Sequence, residues 1–562
     1  MPEDISSSTP PYRDDSLEKN EAKKIEATSE DDYRYYFDAH DLDRVQRRLK
    51  QRHIQMIAIA GTIGTGLFLG SGGALATAGP LGALIAYILV GTVVYATLCS
   101  LSEMTCWAPI SGTFPHFAGR WVDPALGFAV GWNYFYSTVI GVPTEISAAT
   151  VLLVFWDLNT KHAAIYIAAM WVVVLAINLV GTRWFGEAEF CFAIIKLSLI
   201  IALLLSGLVI DLGGGPNHDR IGFRYWKHPG ALNRASLVNN VNTDRFLAWV
   251  NVLVQASFSF LGVEMVAISQ SCFRDSESAS QYCKGCILMI GMLVAYDDDS
   301  LLQTTGTAAQ SPFVIAINRA GVKVFPHVIN ACIFSSAFSS GNTLLFASSR
   351  ILYGLALRGQ APKVFTRCTK TGLPLPAVLG SVSSAVQLYV DRLKLTIVDN
   401  QSCIAPLAFM TVSKGGETVF NWLVGLSTTS VFLGWFAINL TFIRFRSGML
   451  AQGIDPKSNV YHNRLQPWTA CWGMFWTGLF TLVNGYGVFL NWDTSKFLIS
   501  YPDINIPIFI GLYLLYKIPR RSKFWKASEM DFYTGVPSFE ETETHAEPKP
   551  STLLGRVIDT VF

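Results

Sequence analysis

Apolar segments of about 20 residues recur along this chain, the length an α-helix needs to cross the hydrocarbon core of a bilayer. Their cores fall near 54–78, 82–102, 126–155, 163–181, 188–210, 246–269, 325–356, 418–443, 469–490 and 500–517. Two more candidates are irregular. GCILMIGMLVAY at 285–296 is short for a span, and the apolar stretch 373–413 is interrupted by VQLYVDRLKLTIVDNQS. Counting both gives about twelve crossings. Only 15% of the 562 residues are charged, against about 25% in soluble domains. The expected fold is therefore all-α and polytopic, with the lipid bilayer as its surroundings.

Orientation follows from the basic residues that flank the spans. Arg44, Arg47, Arg48, Lys50 and Arg52 precede the first span. Arg358, Lys363, Arg367 and Lys370 follow the span at 325–356, Arg444, Arg446, Lys457 and Arg464 precede the one at 469, and Lys517, Arg520, Arg521 and Lys523 follow the last. All four clusters fall on one side if there are twelve spans with both termini inside. Residues 1–50 are rich in Ser, Glu, Asp and Lys and read as a disordered cytoplasmic tail rather than a cleavable leader. The first span is the expected insertion signal. Residues 51–520 form the expected membrane domain and 521–562 a cytoplasmic C-terminal tail.

Several function classes recede on composition. A net charge of +2 argues against a nucleic-acid partner. The ten cysteines are scattered, and the lone Cys283-x-x-Cys286 pair has no second pair or histidines to complete a metal site. Neither H-x-x-x-H nor G-x-S-x-G appears, and the histidines fall mostly in loops or near span ends. An enzyme, a metal site and a cofactor are therefore not expected.

The chemistry lies in what interrupts the spans. Residues 61–73 read GTIGTGLFLGSGG, with six glycines in thirteen positions. A phosphate loop would need a strand before them or Lys-Ser/Thr after them, and the G-x-G-x-x-G spacing fails as well. Each glycine weakens a helix by roughly 1 kcal/mol relative to alanine. A broken span is tolerated where its freed backbone lines a cavity, and there N–H groups bind a carboxylate while carbonyls bind a cation or ammonium. The alternative is that the glycines only allow close helix packing. A second weak point, SFSFLGVE at 257–264, matches the first if the chain repeats every five spans. Three ionisable residues sit at bilayer depth: Glu145, Lys196 and Glu264. Such groups cost about 3 kcal/mol on insertion scales and usually face a cavity or a partner, although a structural ion pair or a snorkelling side chain near a span end is the plainer reading. Pro143 marks a candidate break beside Glu145.

RRLKQRHIQMIAIAGTIGTGLFLGSGGAL, GPNHDRIGFRYWKHPGA, FSFLGVEMVAI, TAAQSPFVIAI, SSAFSSGNTLLFASSRILYGLALRGQAPKVF and VFNWLVGLST resemble the fungal amino-acid permeases of the amino acid–polyamine–organocation superfamily, from about residue 42 to about 535. The resemblance implies a LeuT-like fold of two inverted five-helix repeats plus two extra helices. It implies proton-coupled uptake of L-amino acids across the plasma membrane by alternating access. It assigns substrate binding to Thr62, Ile63, Gly64, Thr65 and Gly66 in the first span, and to Phe258, Ser259, Phe260 and Gly262 in the sixth. It gives Lys196 the place of the sodium ion of sodium-coupled relatives, with Glu145 and Glu264 as further proton-coupling candidates. Lys19, Lys23 and Lys24 are candidate sites for a ubiquitin ligase, and a merely solvated tail is the alternative.

Two segments depart from the family pattern. Residues 270–285 are shortened, and about twenty residues near 385–404 are inserted, including Asp391, Arg392, Lys394 and Asp399. Such charges do not belong in lipid, and translated intron sequence would account for them. Besides a permease, the pattern leaves an amino-acid sensor of the same fold, or a non-functional variant carrying these altered segments.

Overall fold

The computed structural model describes residues 64–109, 113–153, 155–157, 159, 162–214, 218–264, 274–302, 311–322, 324–369, 372–390, 416–459, 461–484, 486, 504–534 and 536. Thr62, Ile63, the N-terminal tail and the inserted stretch beyond residue 390 lie outside them. Among the described residues the regular structure is helical. Five helices there are long and apolar enough to cross a membrane. The fold is an all-α polytopic bundle.

The described chain starts at Gly64 and passes through a π-helical turn, Gly66–Gly70, into α1, Ser71–Trp107. At 37 residues α1 is far longer than one crossing. It divides at Gly79, whose φ of 76° no ordinary side chain adopts readily, directly before Pro80. The loop at 231–233 satisfies the backbone freed there: Leu81 N–H donates to the Ala231 carbonyl at 3.0 Å, and Asn233 N–H to the Ala78 carbonyl at 3.1 Å. The two expected spans at 54–78 and 82–102 are thus joined almost without a loop.

A short helix, α2 (Thr113–Trp121), leads to α3 (Pro124–Leu153). Asp123 caps α3, accepting from Ala125 N–H at 2.9 Å ahead of a proline at the first helical position. The expected break at Pro143 does not occur; α3 runs through it. Close packing on both sides holds the helix. Gly127 abuts the backbone of Gly119, and Gly131 and Gly141 receive Leu355 and Leu344 of a facing helix. α3 is buried almost all round, whereas α4 (Ala163–Val180) and α5 (Thr182–Asp211) turn Ile165, Val172, Val180, Ile201 and Leu205 outward, as lipid-facing helices do.

Beyond a loop containing α6 (Arg224–Lys227), Asn240 caps α7 (Val241–Phe258) by accepting from Asn242 N–H at 3.0 Å. α8 (Arg274–Leu293) is apolar only over its last part, 284–293, in keeping with the short seventh span expected. Two short helices, α9 (Asp299–Leu302) and α10 (Pro312–Arg319), lead to α11 (Phe325–Leu357), which carries a buried polar stripe, Ser336, Ser339, Ser340, Asn342 and Thr343. The remainder comprises α12 (Leu375–Val390), α13 (Gly416–Ala451), α14 (Trp468–Val483) and α15 (Asn505–Arg520). α3 sits at the centre, against α2, α11, α13 and α15.

The first part of the C-terminal tail folds back on the bundle. The Trp525 and Asp531–Thr534 backbone is held by α2, α13 and Val122. Arg120 donates to the carbonyls of Asp531 and Thr534, both at 2.7 Å, and Arg444 to that of Trp525.

Candidate substrate and coupling site

The glycine-rich start of the described chain and the end of α7 meet. α7 stops at Phe258, and residues 259–264 continue as turns in which Phe260 and Leu261 bond three residues back rather than four. Gly262 holds a φ of 88° there, a left-handed conformation that suits glycine. On the opposite side, a β-carbon on Gly66 would lie 2.8 Å from Ser259 Cα and 2.9 Å from Phe258 Cδ1. The missing side chain at Gly66 lets the two breaks touch backbone to backbone.

One group of polar side chains surrounds the first break. Thr65 Oγ1 donates to Glu145 Oε2 at 3.0 Å, and both residues are buried. A β-carbon on Gly64 would stand 3.0 Å from Glu145 Oε1 and 3.3 Å from Ser340 Oγ. Lys196 Nζ donates to the same Ser340 hydroxyl at 3.4 Å. Glu145, Lys196 and the glycine break, expected from the sequence as separate candidates, therefore share one neighbourhood, with Ser340 of α11 as the link.

Glu264 stands apart, on the side of the second break. Its Oε2 accepts from Trp435 Nε1 of α13 at 3.1 Å, and the Tyr134 phenol of α3 lies beside the same carboxylate. Ser259 shares a hydrogen bond of 2.9 Å with the Tyr87 hydroxyl of α1, whose ring lies 6.2 Å from that of Phe260. Phe258 and Phe260 are both buried. Aromatic walls, freed backbone and a few fixed polar atoms are what a site for a small zwitterion requires: dipoles for the two charged ends and apolar surface for the side chain. No group of three or more His, Cys, Asp or Glu side chains suited to a metal occurs among the described residues.

Sequence reasoning missed Ser340, Tyr87, Trp435 and Glu189. Ser340 lies in SSAFSSGNT, where the density of small polar residues within a long span is the signal. Tyr87 and Trp435 are single amphipathic rings in apolar runs, which read equally well as packing. Glu189 opens the span 188–210 and reads as flank; the structure buries it completely.

Known proteins are similar to this chain over most of its length. The sequence model of the Amino acid permease family matches residues 53–278 and 284–529. The dicarboxylic amino acid permease of Saccharomyces cerevisiae is 36% identical over 526 residues, covering 90% of this chain and 82% of its own. The proline-specific permease of Emericella nidulans is 36% identical over 540 residues, covering 92% of this chain and 93% of its own. Among solved structures, a mutant of the Eremococcus coleocola manganese transporter superposes with a TM-score of 0.51 at 13% identity, covering 84% of this chain and 94% of its own. That likeness speaks to the polytopic, LeuT-like transporter fold. With the family match spanning most of residues 53–529, this chain belongs to the amino acid permease family: it is a multi-pass membrane protein that moves amino acids across a membrane, not an enzyme.

Proposed function

We propose that this permease is a proton-coupled importer of L-amino acids at the plasma membrane, working by alternating access with both termini in the cytoplasm. The observation that carries the reading is the position of Lys196. Its ammonium is buried in the bundle and hydrogen-bonded to the Ser340 hydroxyl that borders Gly64. A protonatable amine beside the broken first span couples protonation to closure of the substrate site.

The substrate carboxylate binds backbone N–H groups within Thr62, Ile63, Gly64, Thr65 and Gly66. Its ammonium faces carbonyls freed at both breaks, between Phe258 and Gly262. Its side chain lies toward Tyr87, Phe260 and Trp435. Lys196 carries the proton, with Glu145 tied to the first break through Thr65. Glu264, bonded to Trp435, responds to the second break. The proton gradient supplies the energy, about 2.3 kcal/mol per charge per 100 mV. Two relatives named for different substrates, dicarboxylic amino acids and proline, are equally similar to this chain at 36%, so overall identity does not select a substrate. A broad range of L-amino acids is the reading we favour. Lysines of the N-terminal tail are the proposed targets of a ubiquitin ligase.

Uptake of labelled amino acids by a permease-deficient fungal strain expressing this chain tests the reading. Saturable uptake that a protonophore abolishes is expected, and competition by each of the twenty amino acids then ranks substrates. Saturable uptake indifferent to the protonophore would overturn proton coupling. Binding without uptake would make the protein a sensor.

A further inference from the structure

A second carboxylate besides Glu145 interacts electrostatically with Lys196. Glu189 lies seven residues earlier on α5 and is completely buried. At 1.5 Å per residue, it sits about 10 Å along the helix from Lys196. Its Oε1 accepts from Asn342 Nδ2 at 2.7 Å, and its Oε2 from Ser339 Oγ at 2.6 Å. Asn342 Oδ1 in turn accepts from Asn178 Nδ2 at 2.7 Å, two residues before the end of α4. Adjacent serines of α11 thus serve the two groups, Ser340 the lysine and Ser339 the carboxylate.

The charges facing Glu189 are few. From its own helix comes Lys196, with which it interacts electrostatically, and Glu187 lies two positions away; from α11 come the neutral Ser339, Asn342 and Thr343, with Arg350 further along over the Phe346 ring that stacks on Phe185. α4 contributes the neutral Asn178 through Asn342. α8 meets α5 at the far end, Met289 against Gly207, and Arg319 of α10 is paired with Asp298. Glu145 of α3 completes the set around Lys196. Two carboxylates and one ammonium leave this buried cluster with one negative charge in excess. An uncompensated charge inside the bundle is costly. One added proton makes the cluster neutral, so it stores a single proton.

We propose that Glu189 is the inward proton acceptor of this cluster, taking the coupled proton from Lys196 on its way to the cytoplasm. The proposal rests on Lys196 as the coupling residue and on the termini being inside, which puts the start of α5 and the end of α4 at the inner face. With the added proton held on Glu145 and the cluster neutral, the Lys196 ammonium becomes a neutral amine by giving up its proton. That proton joins the Glu189 carboxylate, which becomes the neutral acid and releases it to water when the site opens inward. On α11, Ser340 is hydrogen-bonded to the donor and Ser339 to the acceptor.

Glu189→Gln keeps the shape and hydrogen-bonding capacity but cannot take the proton. In membrane vesicles it should lose acid-driven net uptake more than tenfold and keep exchange of labelled for unlabelled amino acid, at equal pH on both sides, within about threefold of the unmodified protein. Glu189→Asp should recover part of the net uptake. Net uptake by Glu189→Gln with an unaltered pH profile would overturn the proposal. So would parallel loss of exchange and net uptake in both variants, since that is the signature of a purely structural carboxylate. Lys196→Gln separates the two readings: if that variant keeps acid-driven uptake, the lysine reading itself fails; if it loses it while Glu189→Gln does not, only the present proposal fails.

Discussion

Thr65 donates its hydroxyl proton to Glu145 across 80 residues of sequence, tying the interrupted first span to the central helix α3 at 3.0 Å. The contact fixes a carboxylate beside the backbone of Gly64. A single hydrogen bond of this kind contributes about 1–2 kcal/mol, a roughly 5- to 30-fold effect on an equilibrium. Thr65→Ala should lower uptake by that order at unchanged surface abundance, and Thr65→Ser, which keeps the hydroxyl, should retain most of it. Uptake assays with quantified surface protein decide between them; equal activity of both variants would remove the hydrogen bond from the mechanism.

The two glycines of the first break differ in what surrounds them. A methyl group on Gly66 meets the backbone of Ser259, whereas one on Gly64 meets the Glu145 carboxylate and the Ser340 hydroxyl, side-chain atoms able to shift. Gly66→Ala should therefore lose more uptake than Gly64→Ala, and valine at either position should abolish it while the protein still reaches the surface. Normal uptake by Gly66→Val would return these glycines to a packing role.

Phe532 anchors the returning C-terminal segment. It is buried beside Trp107, Trp121 and Phe445, with ring centroids 6.3, 6.0 and 5.6 Å away. Truncating a core phenylalanine costs about 3–5 kcal/mol. Phe532→Ala should lower the thermal midpoint of the detergent-solubilised protein, whereas truncation of the exposed Tyr533 should change it little. Equal midpoints for the Phe532 variant and the parent would mean that the segment is not part of the folded unit.

His116 of α2 supplies a pH dependence. Burial, with Arg358 and Arg120 adding to it, holds its imidazole well below the ordinary value of 6.5. The unfolded chain takes up this proton near 6.5 and the folded protein does not. The stabilisation is thus fully present above that pH and lost as pH falls through it. The thermal midpoint should drop between about pH 7 and about pH 5, and His116→Gln should make the drop shallower. An unchanged pH slope in the variant would show that other groups control it.

Part of the site was legible early. Glu145, Lys196 and Glu264 stood out because hydrocarbon penalises charge wherever it occurs, and the glycine runs because helices penalise glycine; neither argument needs a partner. The break at Pro143 was expected on the same local grounds and is absent: α3 runs through it, packed closely at Gly127, Gly131 and Gly141. Glu189 escaped notice because a carboxylate at the edge of an apolar run looks solvated until its burial is known.

The amino-acid sequence by itself determined a polytopic helical bundle, the weak point around Gly262 and three of the ionisable groups held at depth, since bilayer thickness and backbone hydrogen bonding act on each segment separately. Only the tertiary structure decided that Gly66 abuts Ser259, that Lys196 and Gly64 share Ser340, that Glu264 is bonded to Trp435 rather than grouped with Glu145, and that the C-terminal segment closes over α2. Spans that are apolar on every face carry no stripe to say which neighbour each face meets. Their rotation and offset are fixed by close packing of glycines and leucines on different helices, and those contacts exist only once the chain has folded.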